Sequence, residues 1–199
     1  MEEDIKLQNQ MHLIKVEMKI VPAIEIDFAI TSFANAIARD WPNSKDEAKQ
    51  WVFDEFHNPD SIIIGAYDAR KLVGACSLVP QNHIFDKLDK EEKSIVSAFL
   101  IGLNVDLSKA IFLGGFYVDK KYESKMVSAQ IYTFAEEFAN NRGYKALVAH
   151  TARPSEKYNK IKALPVALSM AKMKELPVPR KFFYSNPSDL EKVWLYKLI

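Results

Sequence analysis

The chain has 199 residues, 48% of them hydrophobic, and its 27 Lys and Arg nearly balance 26 Asp and Glu. That length fits one domain over 1–199 with a substantial core, and residues 1–10 read as a loosely packed N-terminus. Balanced charge, and the lack of any basic patch interleaved with aromatics, exclude a nucleic-acid module. The single cysteine, Cys76, excludes an intrachain disulfide and a multi-cysteine zinc site. The polar start, MEEDIKLQNQ, does not read as a signal or transit peptide, and no apolar run reaches the length of a membrane span. The expectation is a soluble cytoplasmic protein.

Met11–Val21 is the first strand candidate, with Leu13, Val16, Met18 and Ile20 as its apolar positions. Ile24–Asp40 reads as a helix, because Ile26, Phe28, Ile30, Phe33, Ala34 and Ile37 recur at helical spacing. Pro42 disfavours helix at Trp41. Ser44 and Glu47 then form a capping box for a second helix, whose apolar face is Ala48, Trp51, Val52 and Phe56. Ser61–Tyr67 and Leu72–Pro80 read as an antiparallel hairpin across the short polar turn Asp68–Lys71. A further helix is expected over Asp89–Leu103, part of an insertion over 85–105, because its apolar residues Ile95, Ala98, Phe99 and Leu103 fit a 3.6-residue period.

Ala110–Val118 is an apolar strand, Asp119–Ser124 a polar turn, Lys125–Asn141 a helix and Tyr144–Thr151 a second apolar strand. A strand that feeds a helix N-terminus across a short turn is a natural anion site. The first helical N–H groups lack intrahelical partners and the dipole favours negative charge. Gly114-Gly115 marks a bulge or a close ligand approach, with the wrong spacing for a dinucleotide fingerprint. Pro154–Glu175 reads as interrupted helix, and Lys181–Ser185 and Val193–Ile199 read as strands separated by the turn Ser185–Ser188. The order β-α-α-β-β-(α)-β-α-β-α-β-β predicts an α/β fold: a mixed sheet of about six or seven strands with helices on both faces.

In that order of elements the chain resembles the GNAT acyltransferase superfamily, from about Met11 to Ile199. The family's run Val-x-Pro-x-Tyr-Arg-Gly-x-Gly-x-Gly/Ala corresponds to Val118–Ala129. Val118 and Tyr122 match, as do the helix Gln130–Ala139 and the helix end and strand Asn141–Val148. The resemblance implies that acetyl-CoA, or another acyl-CoA, lies along Phe116, Tyr117 and Val118. Its pyrophosphate would sit on Ser124, Lys125, Met126, Val127, Ser128 and Ala129. No metal is implied. Glu123 stands where the family has Arg or Gln, and Ser124, Met126 and Ser128 stand at glycine-like positions. A carboxylate there repels a pyrophosphate, and a side chain hinders close backbone approach. Lys120, Lys121 and Lys125 offset the charge, and the two serine hydroxyls can donate hydrogen bonds.

Tyr158-Asn159-Lys160 keeps the family's Tyr-x-Lys element, seven residues after Thr151, while Lys162-Ala163 replaces Gly-Phe. The resemblance implies that Tyr158 protonates the departing thiolate, which suits a phenol that stays neutral at about pH 7. His150, at the end of the preceding strand, is a candidate general base. The four histidines show no metal-ligand spacing. In the family the turn between the first two helices lines the acceptor site, which makes Asp40, Trp41 and Asn43 candidates.

Each of these residues also has a plainer reading. Phe116–Val118 can be core strand, and Ser124 can be an ordinary helix N-cap. Tyr158 can be a packed or surface helix residue, His150 a hydrogen-bonded strand end and Cys76 a buried strand residue. The leading expectation is an N-acyltransferase acting on a small-molecule or peptide amine, with neither nucleic acid nor membrane as partner; a homodimer is compatible with it. A non-catalytic GNAT-like binding or assembly module is the alternative, and an unrelated mixed α/β domain is the third.

Overall fold

The computed structural model describes residues 14–40, 45–80, 85, 88–153, 173–177, 181–182 and 191–199. Eight strands form one sheet: β1 (Glu17–Ile20), β2 (Ile62–Asp68), β3 (Lys71–Pro80), β4 (Ala110–Val118), β5 (Ala146–Arg153), β6 (Lys174–Glu175), β7 (Lys181–Phe182) and β8 (Glu191–Leu198). They run in the order β1-β2-β3-β4-β5-β8-β6, and β7 also pairs with β8. Only β4 and β5 are parallel; every other pairing among the described residues is antiparallel. The helices are α1 (Ile26–Asp40), α2 (Lys45–Phe56), α3 (Lys90–Gly102) and α4 (Val127–Asn141).

The helices lie on both faces. On one face α4 packs Val127, Ile131 and Ala135 against Cys76, Leu113 and Leu147 of the sheet. On the other, α1 and α2 bring Ile30, Phe33, Val52 and Phe56 onto Ala75 and Tyr117. Beside them α3 packs Val96 and Leu100 over Phe112, Val148 and Trp194. Strand side chains alternate between these cores, so the central strands read as nearly continuous apolar runs.

Several boundaries and faces differ from the sequence reading. The described part of the first strand is Glu17–Ile20, and a 3-10 turn at Ala23–Glu25 precedes α1. Phe28, assigned to the apolar face of α1, is 52% exposed. On α3 the buried positions are Glu92, Val96 and Leu100; Phe99 and Leu103 pack half-buried against the same core, Ile95 is half-buried and Ala98 is exposed. A four-residue stripe places Glu92, Val96 and Leu100 on one line of the helix, and the indole Nε1 of Trp194 satisfies Glu92 by donating to its Oε1 at 3.1 Å. Asp89 caps that helix by accepting from the N–H groups of Glu91 and Glu92, both at 3.0 Å. Lys174–Glu175, read as helix, instead adds a short strand to β8. Ser44, residues 154–172 and the turn 185–188 lie outside the described residues.

The hairpin is as expected, with a turn that needs no glycine. Ala69 and Arg70 both take positive φ, 45° and 76°, the twist a two-residue hairpin loop requires.

Candidate active site

Two features of β4 shape the site. The first is where its pairing stops. The β4–β5 partners run from Ala110–Ala146 to Leu113–Ala149 and end there. Beyond that point Gly114–Val118 follow β3 only, and His150–Arg153 follow β8 only. The sheet therefore opens into a V with backbone N–H and C=O groups along its inner edges. Such groups need partners, and an extended ligand can supply them as an added strand would.

The second feature is a bulge. Ser77 pairs with Gly114 and Ala75 with Tyr117, so β4 has one residue too many. Gly115 takes it up at φ +47°, and a Cβ there would collide with Phe56 of α2. The bulge puts Gly114 and Gly115 both toward α2 and re-aims the residues after them. Tyr117 packs into the α1–α2 core, and Phe116 and Val118 pack toward α4. Burial pushes the Tyr117 phenol up, and it stays neutral at physiological pH. Side chains of Phe116, Tyr117 and Val118 fill the cores, as the packing reading expects, while their backbone forms the edge of the V.

The turn after β4 is not the simple loop of the sequence reading. Asp119 accepts from Lys121 N–H at 3.2 Å and donates its own N–H to Val73 O at 2.8 Å. A 3-10 helix over Lys120–Lys125 follows, pinned by the Tyr122 hydroxyl, which donates to Asp68 Oδ2 at 2.8 Å. The helix start differs too. α4 begins at Val127, and its N-cap is Met126, not Ser124. Met126 lies in the left-handed region, φ 59° and ψ 17°, and gives no side-chain cap. That conformation costs a non-glycine residue about 1–2 kcal/mol. The first helical bond runs from Gln130 N–H to Met126 O, at 3.1 Å. The amides of Val127, Ser128 and Ala129 precede it at the mouth of the V, where an anion is favoured. A left-handed residue ahead of a helix start is how backbone amides gather into an anion nest. Met126 thus keeps the conformation a glycine would supply. The side chains of Glu123, Ser124 and Lys125 lie outside the described set.

His150 is the first β5 residue past the last β4 partner and lies on the α1–α2–α3 face. Its ring centroid is 4.9 Å from Phe112, 5.3 Å from Trp51 and 5.3 Å from Trp194. His150 is not at the strand end: β5 runs on to Arg153, and His150 pairs within it with Trp194, in aromatic surroundings. Tyr158 lies outside the described residues, as do Trp41 and Asn43. Cys76 is fully buried and burial pushes its thiol up, which makes it a packed strand residue without an activated thiolate. Among the described residues no group of three His, Cys, Asp or Glu is placed to hold a metal ion, and no helix is long and apolar enough to cross a membrane.

One buried polar residue escapes the sequence reading. Glu55, on α2, is fully buried, and its Oε2 accepts from Ser77 Oγ at 3.0 Å. A Cβ added to Gly114 would lie 2.5 Å from that oxygen. Glu55 falls four residues after Trp51 and between Val52 and Phe56 in the apolar stripe. A charged residue on that stripe was the available signal.

An open mixed sheet split at the one parallel pair among the described residues, with a helix N-terminus at the mouth of the split, is an acyltransferase architecture. The comparisons agree: the model of the acetyltransferase (GNAT) family matches residues 30–159, and the chain belongs to that family. Solved structures show the same fold. An N-acetyltransferase from Staphylococcus aureus Mu50 has 14% identity and a TM-score of 0.62, with 93% of this chain and 99% of that one covered. A ribosomal-protein-alanine N-acetyltransferase from Brucella melitensis has 11% identity and a TM-score of 0.61, with 92% and 99% covered. An aminoglycoside 6'-N-acetyltransferase complexed with coenzyme A has 13% identity and a TM-score of 0.57, with 92% and 96% covered. No curated protein sequence gives a significant match.

Proposed function

We propose that the protein transfers an acetyl or other acyl group from acyl-CoA to an amine by direct attack. The observation that carries the reading is the end of β4–β5 pairing at Leu113 and Ala149, which leaves the β4 edge over Gly114–Val118 for the pantetheine arm. The pyrophosphate would rest on the amides of Val127, Ser128 and Ala129, with Ser124 and Lys125 beside them. Met126 supports this by holding, at the helix start, the left-handed conformation a glycine would supply. That retained geometry favours a working donor site over the non-catalytic alternative.

The chemistry follows from the donor's placement. Backbone N–H groups beside Tyr117 would polarise the thioester carbonyl and stabilise the oxyanion that forms on attack. The amine would form the new C–N bond, His150 would take the proton that nitrogen then sheds, and Tyr158 would protonate the sulfur as the C–S bond breaks. The acceptor is an amine of small-molecule or peptide type. Acetyl-CoA-dependent thiol release with a panel of primary amines tests the reading, with Tyr158→Phe beside the wild type. Turnover that is low in the variant and robust in the wild type supports it. Undiminished turnover by the variant would remove Tyr158 from the acid role.

A further inference from the structure

Among the described residues β1 is the outermost strand of the sheet, so its far side carries backbone groups with no strand beside them. An open edge is a template for another strand, and native proteins either blunt it or use it. The ladder to β2 shows which groups are open. Val21 donates its N–H to Ile63 O at 2.8 Å, and hydrogen-bonded positions alternate along an antiparallel pair. Glu17, Lys19 and Val21 therefore turn their backbone groups toward β2, and Val16, Met18 and Ile20 turn theirs outward. Gln130 of α4 agrees with this parity. Its side-chain amide accepts from Val16 N–H at 3.5 Å and donates to Ile14 O at 2.7 Å, on the same outer edge. Side chains alternate too. Val16 and Met18 pack toward α4, and Ile20, 51% exposed, follows them on that face. Glu17 and Lys19 stand on the opposite face, 3.9 Å apart, with side chains 66% and 39% exposed.

We propose that two copies of this chain join through this edge, β1 antiparallel to β1 about a two-fold axis at Met18, into one continuous sheet. The residues select both the occupant and the register. In a symmetric antiparallel pair an outward-facing residue lies opposite itself, which admits Val16, Met18 or Ile20 at the axis. An axis at Val16 needs the Val16 N–H and the Ile14 C=O that Gln130 occupies. An axis at Ile20 sets Pro22, which has no N–H, opposite Met18. With the axis at Met18, the two Met18 residues exchange N–H···O=C bonds, and Ile20 N–H reaches Val16 O of the second copy. That register also sets Glu17 directly opposite Lys19, twice, so the edge is complementary to itself in charge. On the other face it lays Ile20 against Val16, which covers the exposed apolar side chain. Phe134 and Phe138 follow Gln130 at four-residue spacing along α4, half-buried, and extend the apolar strip beside the axis. The proposal does not depend on the acyltransferase reading, and the opening between β4 and β5 lies three strands away.

Sedimentation equilibrium of the full chain over a concentration series tests this, with charge reversals at the two exposed side chains. The wild type is expected to form a dimer. Glu17→Lys and Lys19→Glu each set like charges opposite one another and are expected to raise the dimer Kd by about tenfold or more. Mixing the two variants is to restore association, because every cross-strand pair is then opposite in sign. Met18→Cys reads the register. Across the axis its two Cα atoms would lie about 5.5 Å apart, within reach of a disulfide, whereas Ile20→Cys is to stay unlinked. Cys76 is buried and does not compete. A wild type that stays monomeric at about 100 μM overturns the inference and gives Lys19 and Pro22 the role of blunting the edge. A dimer indifferent to both reversals, or one that the mixture does not restore, overturns it by moving association to another face. Should a reversed variant not fold, the cysteine variants decide: a linked dimer from Met18→Cys alone supports the inference, and linkage in neither or in both overturns it.

Discussion

Leu113 and Ala149 are the last partners across the parallel β4–β5 ladder, and past them the two strands diverge within one sheet. The divergence has a visible cause. Just beyond Leu113, β4 spends an extra residue on a bulge against β3, and a bulge bends its strand and increases the local twist. The bulge is in turn fixed by α2, whose Phe56 and Val52 press on Gly115. Helix α2, the bulge and the open edge form one mechanical unit, and its parts can be disturbed separately.

Gly115→Ala strikes the unit at its centre. It puts a methyl group against Phe56 and a side chain on a residue at φ +47°. The expected cost is about 3 kcal/mol, a fall in Tm of roughly 6–12 °C. Thermal unfolding followed by circular dichroism checks it. A variant as stable as wild type would mean the bulge is not held as described.

Met126→Gly has the opposite sign. It removes a left-handed conformation that costs a side-chain-bearing residue about 1–2 kcal/mol, against roughly 0.4–1 kcal/mol of extra chain entropy in the unfolded state. The net expectation is a small gain, a Tm unchanged or up by a few degrees. Acetyl-CoA should bind at least as tightly, which calorimetry measures. Weaker binding would show that the Met126 side chain itself contributes to the donor site.

These positions also show what the sequence could reveal. The Gly114-Gly115 pair, the hairpin and the strand–helix–strand segment around Val118 were legible, because glycine pairs, short polar turns and unbroken apolar runs each have few structural meanings. The start of α4 was less so. Ser124 has the chemistry of an N-cap, yet the 3-10 turn over Lys120–Lys125 delays the helix to Val127, and only tertiary pinning of Tyr122 to Asp68 explains the delay. The burial of Glu92 on α3 was not legible, because it looks like a solvent residue until Trp194, distant in sequence, supplies its donor. Glu55 was missed for the same reason: its partners Ser77 and Gly114 come from other strands.

Trp194→Phe isolates that link between α3 and β8. The smaller phenyl ring leaves a void and loses the N–H that donates to Glu92, leaving a buried carboxylate with one bond fewer. Loss of a hydrogen bond to a charged group is expected to cost about 2–3 kcal/mol. Denaturant unfolding should show it as a lower midpoint.

Alkali should weaken the fold through buried weak acids. Burial raises the Cys76 thiol and the Tyr117 phenol above their unfolded values. A group raised on folding contributes stability that is complete below its unfolded pKa and is lost as pH rises. Unfolding free energy is therefore expected to fall above about pH 9 for Cys76 and above about pH 10 for Tyr117. Each contributes up to about 1.4 kcal/mol per pH unit. Cys76→Ala should flatten the first part of that decline. Native protein should also resist thiol reagents that label the unfolded chain, and rapid labelling of the native form would contradict the burial.

Isothermal titration of acetyl-CoA into the purified protein, with Glu123→Arg beside it, tests the central claim most directly. The account predicts micromolar binding by the wild type, because the β4 edge and the amides of Val127–Ala129 stand in for the missing glycines, and tighter binding by the variant as a like charge is removed from beside the pyrophosphate. No heat of binding from either protein would contradict it and leave the fold as a module without a donor site.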